Sequence, residues 1–563
     1  MAEATHPTAA PARGPTLKRE MGPVAILFSS VGVVIGSGWL LGAYHATLIA
    51  GPAAVLSWII GALAILILGL NLAELGGMYS VAGGLVRFPH FSFGSLAGFS
   101  AGWFYFLGSV TTAPIETLAV LTYAANYLHG LVNAATGSLI WPAGYVVAVV
   151  IMAVLTVLNI IGIKWMSEVN KYAVWWKILV PAVAIVAIIA VGRNTSLFNN
   201  PAHGGFAPDG FHGILAAVTA GGIVFSYTGF EGAISFGAES KNPGRDIPFA
   251  VIGAMIIGAI IYILLQVAFL MGLPAQDAVG NWTRINMGIG ATGPFAAIAS
   301  ALGLGWLALV LYIDAIISPA DTGLLQIGTA SRTIFAIARN KYIPEFFGRL
   351  NTLGVPWIAI IFSFLVGLIC FGPFPNWGTL VGLVSDFALL TYATVPISVS
   401  ALRRLDPDRP RPFKLPGLVV LAPAGFIIAN ELLLFAGFGV VWKMFVAVII
   451  GVVLLLIGMV TRPASDRPKL DWVNGYWIAP WLIGVLIISY VGSFQAGGGT
   501  DGVPGTHLVG GNDTLHFGID MIVMAAWSLV IYYIAVPVRL TKEKAQEYIV
   551  DSSSGELIVE PAE

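Results

Sequence analysis

Long apolar stretches alternate with short polar segments along most of the 563-residue chain. The stretches are about 20 residues long, which is the length at which an α-helix crosses the hydrocarbon core of a bilayer. The pattern therefore predicts an all-α polytopic membrane protein with about fourteen spans. The predicted spans are Gly22–Tyr44, Ala53–Leu75, Leu96–Leu128, Pro142–Ile161, Tyr172–Val191, Ile214–Ala238, Ile247–Met271, Leu304–Ile327, Val355–Phe371, Leu380–Leu402, Leu418–Ala436, Val440–Thr461, Ile478–Val491 and Ile519–Val538.

Two of these stretches are interrupted near their middle. The first span contains Gly36-Ser37-Gly38, and the sixth contains a polar, glycine-bearing segment from Ser226 to Glu231. Glycine favours unwinding, and unwound backbone inside a bilayer must be buried in protein or line a polar cavity. Glycines that only permit close helix packing are the alternative. Paired interruptions in two halves of a chain are typical of a transporter's central site, so we predict a binding site between them.

Composition supports the membrane assignment and excludes several classes of protein. Hydrophobic residues make up 57% of the chain and charged residues 10%, whereas soluble domains are about 25% charged. The net charge of −1 gives no indication of a nucleic-acid partner. The single cysteine, Cys370, excludes an internal disulfide and a cysteine-based metal site. The chain contains no zinc-protease or serine-hydrolase motif, so we expect neither an enzyme nor a bound metal or cofactor.

The distribution of lysine and arginine predicts the orientation of the chain. Most of the 27 basic residues fall in the two tails or in the loops on the side of the N-terminus. The loops predicted on the opposite side contain only Arg193 and Arg284. Basic residues concentrate on the cytoplasmic side of membrane proteins. We therefore expect both termini to be cytoplasmic.

A series of short motifs resembles the amino acid–polyamine–organocation superfamily. Their order and spacing carry the resemblance, which covers most of the first twelve predicted spans. The motifs are Ile35-Gly36-Ser37-Gly38, Ala73-Glu74-Leu75-Gly76, Phe225 to Glu231, Glu239 to Pro243 with Ile247-Pro248, Ser331-Arg332, Ala336 to Arg339, Ile343-Pro344, Leu402-Arg403-Arg404 and Arg411-Pro412-Phe413.

This resemblance implies the leucine-transporter fold, which has two inverted five-helix repeats with broken first and sixth helices. The last two spans resemble a subgroup that includes bacterial aspartate–proton symporters, which implies a bacterial plasma membrane. The expected divisions are an N-terminal tail at 1–20, the two repeats at 21–200 and 201–404, helices 11 and 12 at 405–462, two additional helices at 463–538 and a C-terminal tail at 539–563.

Broken helices can bind both charged groups of an amino acid. Free N–H groups and the positive end of a helix dipole suit its carboxylate, while unwound carbonyls suit its ammonium. The resemblance places Tyr227 and Phe230 beside the substrate, with Phe230 as an aromatic gate on the outer side; ordinary helix packing is the alternative. The predicted substrate-binding residues are Val34, Ile35, Gly36, Ser37, Gly38, Phe225, Ser226, Tyr227, Gly229 and Phe230.

Lys177 is the basic residue of greatest interest, because it lies inside the fifth predicted span, where a charge is costly. In relatives, a lysine in this part of the fifth helix occupies the place of a sodium ion. Three roles remain open. The side chain exchanges a proton, forms a fixed cation that holds helices one, five and eight together, or extends to the cytoplasmic surface.

Acidic residues inside the spans are candidates for proton coupling. Asp314, Ser318 and Asp321 share one stripe of the eighth span, where an acid could either neutralise Lys177 or relay a proton. Asp386 and Glu431, in later spans, are expected to hydrogen-bond neighbouring helices. The candidate proton-coupling residues are Lys177, Glu231, Asp314, Asp321 and Glu116.

Together these features predict a secondary active transporter that takes up amino acids with protons by alternating access. An antiporter of amino acids, or of amino acids and amines, is the first alternative, and a substrate sensor that does not transport is the second. The sequence does not indicate which amino acid is carried or the oligomeric state.

Overall fold

A computed structural model describes residues 21–79, 84–161, 163–235, 237–280, 282, 284–285, 293–352, 354–463, 465, 467–494 and 512–554. The predicted N-terminal tail at 1–20 and the last residues of the predicted C-terminal tail lie outside these ranges. The described chain is almost entirely α-helical, as the apolar pattern predicts. Its strands form one short antiparallel pair, β1 (Ala278–Val279) and β2 (Arg284–Ile285).

The helices follow the predicted spans closely. Those of the first half are α1 (Pro23–Val34), α2 (Gly38–Ala50), α3 (Ala54–Met78), α4 (Gly84–Phe93), α5 (Ser95–Ala124), α6 (Ala143–Ile161) and α7 (Ile163–Gly192). Those of the middle are α8 (Gly210–Thr219), α9 (Ile223–Tyr227), α10 (Gly232–Ser235), α11 (Pro243–Gly272), α12 (Pro294–Ala301), α13 (Gly305–Arg339), α14 (Trp357–Cys370) and α15 (Trp377–Leu405). The last are α16 (Leu418–Phe435), α17 (Phe438–Thr461), α18 (Trp472–Gly475), α19 (Ile478–Val491), α20 (Ile519–Ala535) and α21 (Lys542–Ser554).

Ten helical stretches of the described chain are long and apolar enough to cross a membrane, or eleven if α8 and the α9–α10 segment form one span bent by 47°. The stretch Gly38–Met78 counts once, yet its 41 residues would reach about 60 Å as one helix, twice the thickness of the hydrocarbon core. Gly51, with φ of +58°, turns the chain there between α2 and α3. Three further apolar helices, α1, α14 and α20, are shorter. The count of fourteen, the inverted repeat and the domain boundaries stay predictions.

The broken segments lie in the interior of the helix bundle. The segment α1 packs against α7, α10 and α11, while α2 packs against α8 and α9. The helices α13 and α15 both pack against α5, and α15 is almost completely buried. By contrast, α17 exposes apolar side chains such as Ile450 and Val453 along its length. An apolar helix surface of this kind fits contact with lipid. Helices such as α17 therefore face the bilayer, while the polar breaks lie inside the bundle.

Glu74 ties the end of α3 to the end of α15. Its carboxylate is fully buried and accepts hydrogen bonds from Nε of Arg403 at 2.8 Å and from Nη2 at 2.6 Å. The backbone N–H of Leu415 also donates to it, at 2.7 Å. A bidentate pair of this type is strong and directional. The contact therefore fixes the loop between α15 and α16 to α3.

We predict that Glu74→Ala lowers thermal stability substantially. The substitution leaves the Arg403 guanidinium and the Leu415 N–H without their acceptor, and removing one partner of a buried pair costs about 3–5 kcal/mol. Fluorescence-monitored unfolding of the purified protein measures the effect. Glu345→Ala is the control, because that carboxylate is 89% exposed and lies 4.0 Å from Arg462. Equal unfolding temperatures in the two variants would contradict the prediction.

Candidate functional site

Both predicted interruptions are present. α1 ends at Val34 and α2 begins at Gly38, and Ile35 between them has extended backbone with φ of −90° and ψ of 90°. The sixth span unwinds after Tyr227, before α10 begins. Gly229 has a φ of +106°, which favours glycine. The sequence did not predict a further interruption at 220–222, between α8 and α9.

A cavity lies between the two breaks and the facing surfaces of α5 and α13. Its volume is about 10 Å³, which is room for about one water molecule. An amino acid therefore requires these helices to move apart. The lining residues are Val33, Val34, Gly36 and Gly38 from the first break, Phe225, Ser226, Thr228 and Gly229 from the second, Thr112 and Glu116 from α5, and Thr322 and Gln326 from α13.

Glu116 accepts a hydrogen bond from the backbone N–H group at the start of α2. Its Oε2 accepts a hydrogen bond from the backbone N–H of Ser37 at 2.9 Å, and its Oε1 lies 3.3 Å from the same nitrogen. The side chain is fully buried. A free N–H at a helix start is a binding site for an anion. The protein's own carboxylate thus sits where we predicted the carboxylate of the substrate.

Lys177 joins three helices through its ammonium group. Nζ donates to the carbonyl of Gly32 on α1 at 3.0 Å and to Oγ1 of Thr322 on α13 at 2.8 Å. It also forms an ion pair with Oδ2 of Asp321 at 2.7 Å. The side chain is 0% exposed, so the predicted alternative in which it extends to the surface is wrong. The contacts fit the fixed cation, and they leave proton exchange untested.

Asp314 and Glu231 lie near the site but contact other partners. Asp314 accepts hydrogen bonds from Nε1 of Trp39 at 3.0 Å and from the hydroxyl of Ser318 at 2.6 Å, which links α13 to α2. Of the two aspartates in the predicted stripe, only Asp321 pairs directly with the lysine. Glu231 accepts from the N–H of Gly229 at 2.9 Å and from a tyrosine hydroxyl on α15 at 2.8 Å. Neither side chain lines the cavity.

Six of the ten predicted substrate-binding residues line the cavity. The other four, which do not, are Ile35, Ser37, Tyr227 and Phe230.

The two aromatic residues predicted beside the substrate point elsewhere. The Tyr227 hydroxyl donates to the carbonyl of Trp58 at 3.1 Å, and the ring of Phe230 packs against Tyr392 with 5.2 Å between centroids. Phe230 therefore has the surroundings of the helix-packing alternative rather than those of a gate over the cavity.

Trp377 covers the first break instead. Its Nε1 donates to the hydroxyl of Ser37 at 2.9 Å, and its ring stacks on His45 with 4.9 Å between centroids. Phe225, which lines the cavity, lies edge-on to the same indole at 6.0 Å. This contact was not predicted from the sequence, because Trp377 precedes the span predicted from Leu380.

Three other lining residues could have been found from helical spacing. Thr322 and Gln326 follow Ser318 at successive four-residue steps on α13, and Thr112 precedes Glu116 by four residues on α5. Residues four apart share one helix face. Extending the stripe from Ser318 by two turns on α13, and from Glu116 by one turn on α5, would have identified all three.

The surroundings of Asp386 differ from those predicted from the sequence. It was expected to hydrogen-bond a neighbouring helix, but the side chain on α15 is fully buried and neither oxygen has a hydrogen-bond partner among the described residues. That prediction is wrong. The same holds for Oε2 of Glu431, which is also buried without a partner in the described chain.

Comparison with known proteins adds to this geometry. A sequence model of the family described as amino acid permease matches residues 21–455. The chain is 36% identical over 524 residues to the glutamate/serine transporter AimA of Bacillus subtilis, covering 92% of this chain and 93% of that protein. It is 32% identical over 533 residues to the aspartate–proton symporter of the same organism, covering 93% and 97%. The B. subtilis branched-chain amino acid permease BcaP is 26% identical over 452 residues, covering 78% and 92%.

We predict that Gly36→Ala weakens amino acid binding by about tenfold, equivalent to roughly 1.4 kcal/mol. Gly36 lines the cavity, and a Cβ there would lie 2.6 Å from Oε1 of Glu116 and 3.2 Å from Oγ1 of Thr322, so it would fill space that the substrate needs. Equilibrium binding of labelled amino acids to the purified variant measures the effect. Gly232→Ala is the control, because its Cβ would meet only Val33, at 3.7 Å. Undiminished affinity in Gly36→Ala would place the site elsewhere.

Proposed function

We propose that this chain, which belongs to the amino acid permease family, takes up amino acids together with protons. The family confirms the resemblance predicted from the motifs, and its members are transporters rather than enzymes. The chain is an integral membrane protein that functions in amino acid transport. The coupling ion, the mechanism and the orientation with both termini in the cytoplasm belong to the proposal.

The contact between Glu116 and the N–H of Ser37 carries the proposal. A substrate carboxylate that binds the start of α2 must take this N–H from Glu116. If Glu116 stayed ionised beside it, two buried negative charges about 4 Å apart would repel each other by roughly 4 kcal/mol at an effective dielectric constant of 20. A proton on Glu116 removes this repulsion and weakens its hold on the N–H. Substrate and proton therefore bind together.

Lys177 does not neutralise the substrate carboxylate in place of this proton. Lys177 is the nearest candidate to neutralise the substrate, but its three ammonium protons already have acceptors on Gly32, Thr322 and Asp321. Among the described residues, Glu116 forms no ion pair of its own. We therefore assign proton binding to Glu116 and a fixed cationic role to Lys177, which holds α1, α7 and α13 together.

Transport requires the cavity to open alternately to the two sides of the membrane. The narrow cavity supports such movement, since the breaks let the halves of each span turn separately. Trp377 and Phe225 are our candidates for closing the cavity toward the side of the membrane on which α2 lies. The ammonium of the substrate would meet carbonyl groups at the ends of α1 and α9.

The names of two relatives guide the choice of substrate. Glutamate, serine and aspartate occur in the names of transporters that are 36% and 32% identical to this chain, and one of these is a proton symporter. We propose amino acids with short polar or acidic side chains as the substrates to test first. An antiporter remains the second candidate; it would need a counter-substrate inside the vesicle rather than a pH gradient.

We expect Glu116→Gln to lose uptake driven by a pH gradient while keeping exchange of labelled for unlabelled substrate. The amide can still occupy the site but cannot take up and release a proton. Proteoliposomes with imposed proton or sodium gradients measure both activities. Glu431→Gln, in a span outside the cavity, is the control and should keep coupled uptake. Sodium-driven uptake, or normal proton-driven uptake by Glu116→Gln, would contradict the proposal.

Lys177 variants separate its two remaining roles. Lys177→Met should lose coupled uptake, because Asp321 and the carbonyl of Gly32 lose their buried partner. Lys177→Arg keeps a charge that is not released at physiological pH. Partial proton-driven uptake by Lys177→Arg supports the fixed cation. Loss of proton-driven uptake with intact exchange in both variants would assign proton release to the lysine instead.

A further inference from the structure

One polar side chain of the cavity has no hydrogen-bond partner in the described part of the chain. Thr112 donates to the carbonyl of Gly108 at 2.9 Å, and Thr228 donates to that of Phe225 at 2.7 Å. The hydroxyl of Thr322 and the carboxylate of Glu116 are also occupied. The half-buried amide of Gln326 has no hydrogen bond among the residues that the structure describes. Its donor and its acceptor are therefore both available to a ligand.

We propose that Gln326 selects substrates whose side chains are short and polar or acidic. This inference rests on the proposed transport of amino acids through the cavity. An amide both donates and accepts, so it can bind a carboxylate or a hydroxyl. An apolar side chain at the same place would remove water from the amide without replacing its hydrogen bonds, which disfavours that substrate.

The position of Gln326 fits the length of such a side chain. It lies one helical turn from Thr322, which corresponds to about 5 Å along α13. Thr112 lies one turn from Glu116 on α5. Because Gly323 lies against Ala113 and Gly102 lies against Ile337, α5 and α13 run antiparallel, which places Thr112 and Gln326 toward the same end of the cavity. A substrate whose main-chain carboxylate has replaced Glu116 on the N–H of Ser37 can then extend a short side chain toward Gln326.

Competition assays with Gln326→Leu test the inference. We expect the variant to bind serine, aspartate and glutamate about tenfold more weakly, the effect of roughly 1.4 kcal/mol, while leucine and valine bind more tightly. Gln266→Leu is the control, since that amide is bonded to Trp58 and Thr47 outside the cavity and should not alter selectivity. An unchanged preference, or an equal loss for all five amino acids, would overturn the role of Gln326. Failure of the unaltered protein to transport any amino acid would instead overturn the proposed function.

A second, independent observation concerns α21, the helix near the end of the chain. Asp471, which precedes α18, accepts hydrogen bonds from the N–H of Ser95 at 2.8 Å and from the hydroxyl of Tyr548 on α21 at 2.9 Å. Lys544 on α21 pairs with the same carboxylate. Burial raises the pKa of Asp471, but the hydrogen bonds from Lys544, Ser95 and Tyr548 outweigh it and hold that pKa below its usual range. The contact is therefore charged at neutral pH.

The docked helix is connected to the second break. α21 packs against α4, where Tyr548 contacts His90 with 4.3 Å between ring centroids. The start of α4 in turn touches α10, since a Cβ on Gly84 would lie 2.2 Å from Cγ2 of Ile234. α10 directly follows the unwound segment at Gly229. We infer that docked α21 restrains α4 and α10, and thereby slows opening of the cavity on the side that carries α21.

The test combines Lys544→Ala with Tyr548→Phe in the full-length chain. We expect faster hydrogen exchange in α21 and several-fold faster amino acid exchange in proteoliposomes, with unchanged substrate affinity. Lys542→Ala, at the exposed start of α21, is the control and should alter neither rate. Unchanged or slower amino acid exchange in the double variant would overturn the restraint.

Discussion

The structure depends on one constraint: backbone N–H and C=O groups cannot remain unpaired inside a bilayer. The first span breaks between Val34 and Gly38, so groups that a continuous helix would pair internally need other partners. Glu116 takes the N–H of Ser37, and Lys177 takes the carbonyl of Gly32. Ionisable side chains that would be costly in an unbroken bundle thus find partners at the break.

In the proposed mechanism, the same groups link substrate binding to proton binding. A broken helix supplies an anion site, and a carboxylate of the protein fills that site in the absence of a competing anion. In the proposal, an anion that replaces the Glu116 carboxylate is repelled by it as long as Glu116 is ionised. In the proposed mechanism, one proton on Glu116 both removes the repulsion and frees the N–H of Ser37. The adjacent ion pair of Lys177 and Asp321 is neutral as a unit and holds the helices around this exchange.

Much of this arrangement could be predicted from the sequence, because each prediction depended on an intrinsic cost. Apolar runs fixed the helices, glycines marked both breaks, and a lysine inside a span implied an acidic partner. What could not be predicted depended on tertiary direction. Phe230 and Trp377 are both aromatic residues near a break. The indole of Trp377 donates to Ser37 in the first break, whereas the ring of Phe230 packs against Tyr392. Asp386 gave a wrong expectation because residue type alone does not show which groups surround a helix face.

The central claim is that an amino acid replaces ionised Glu116 and that a proton accompanies the replacement. Calorimetric titration of the purified protein at mildly alkaline pH, in buffers with different ionisation enthalpies, measures the protons taken up on binding. The account predicts that the observed heat varies with the buffer by an amount equal to about one proton taken up per amino acid bound. Binding heats that are the same in every buffer would show that no proton accompanies the substrate, and would contradict the account.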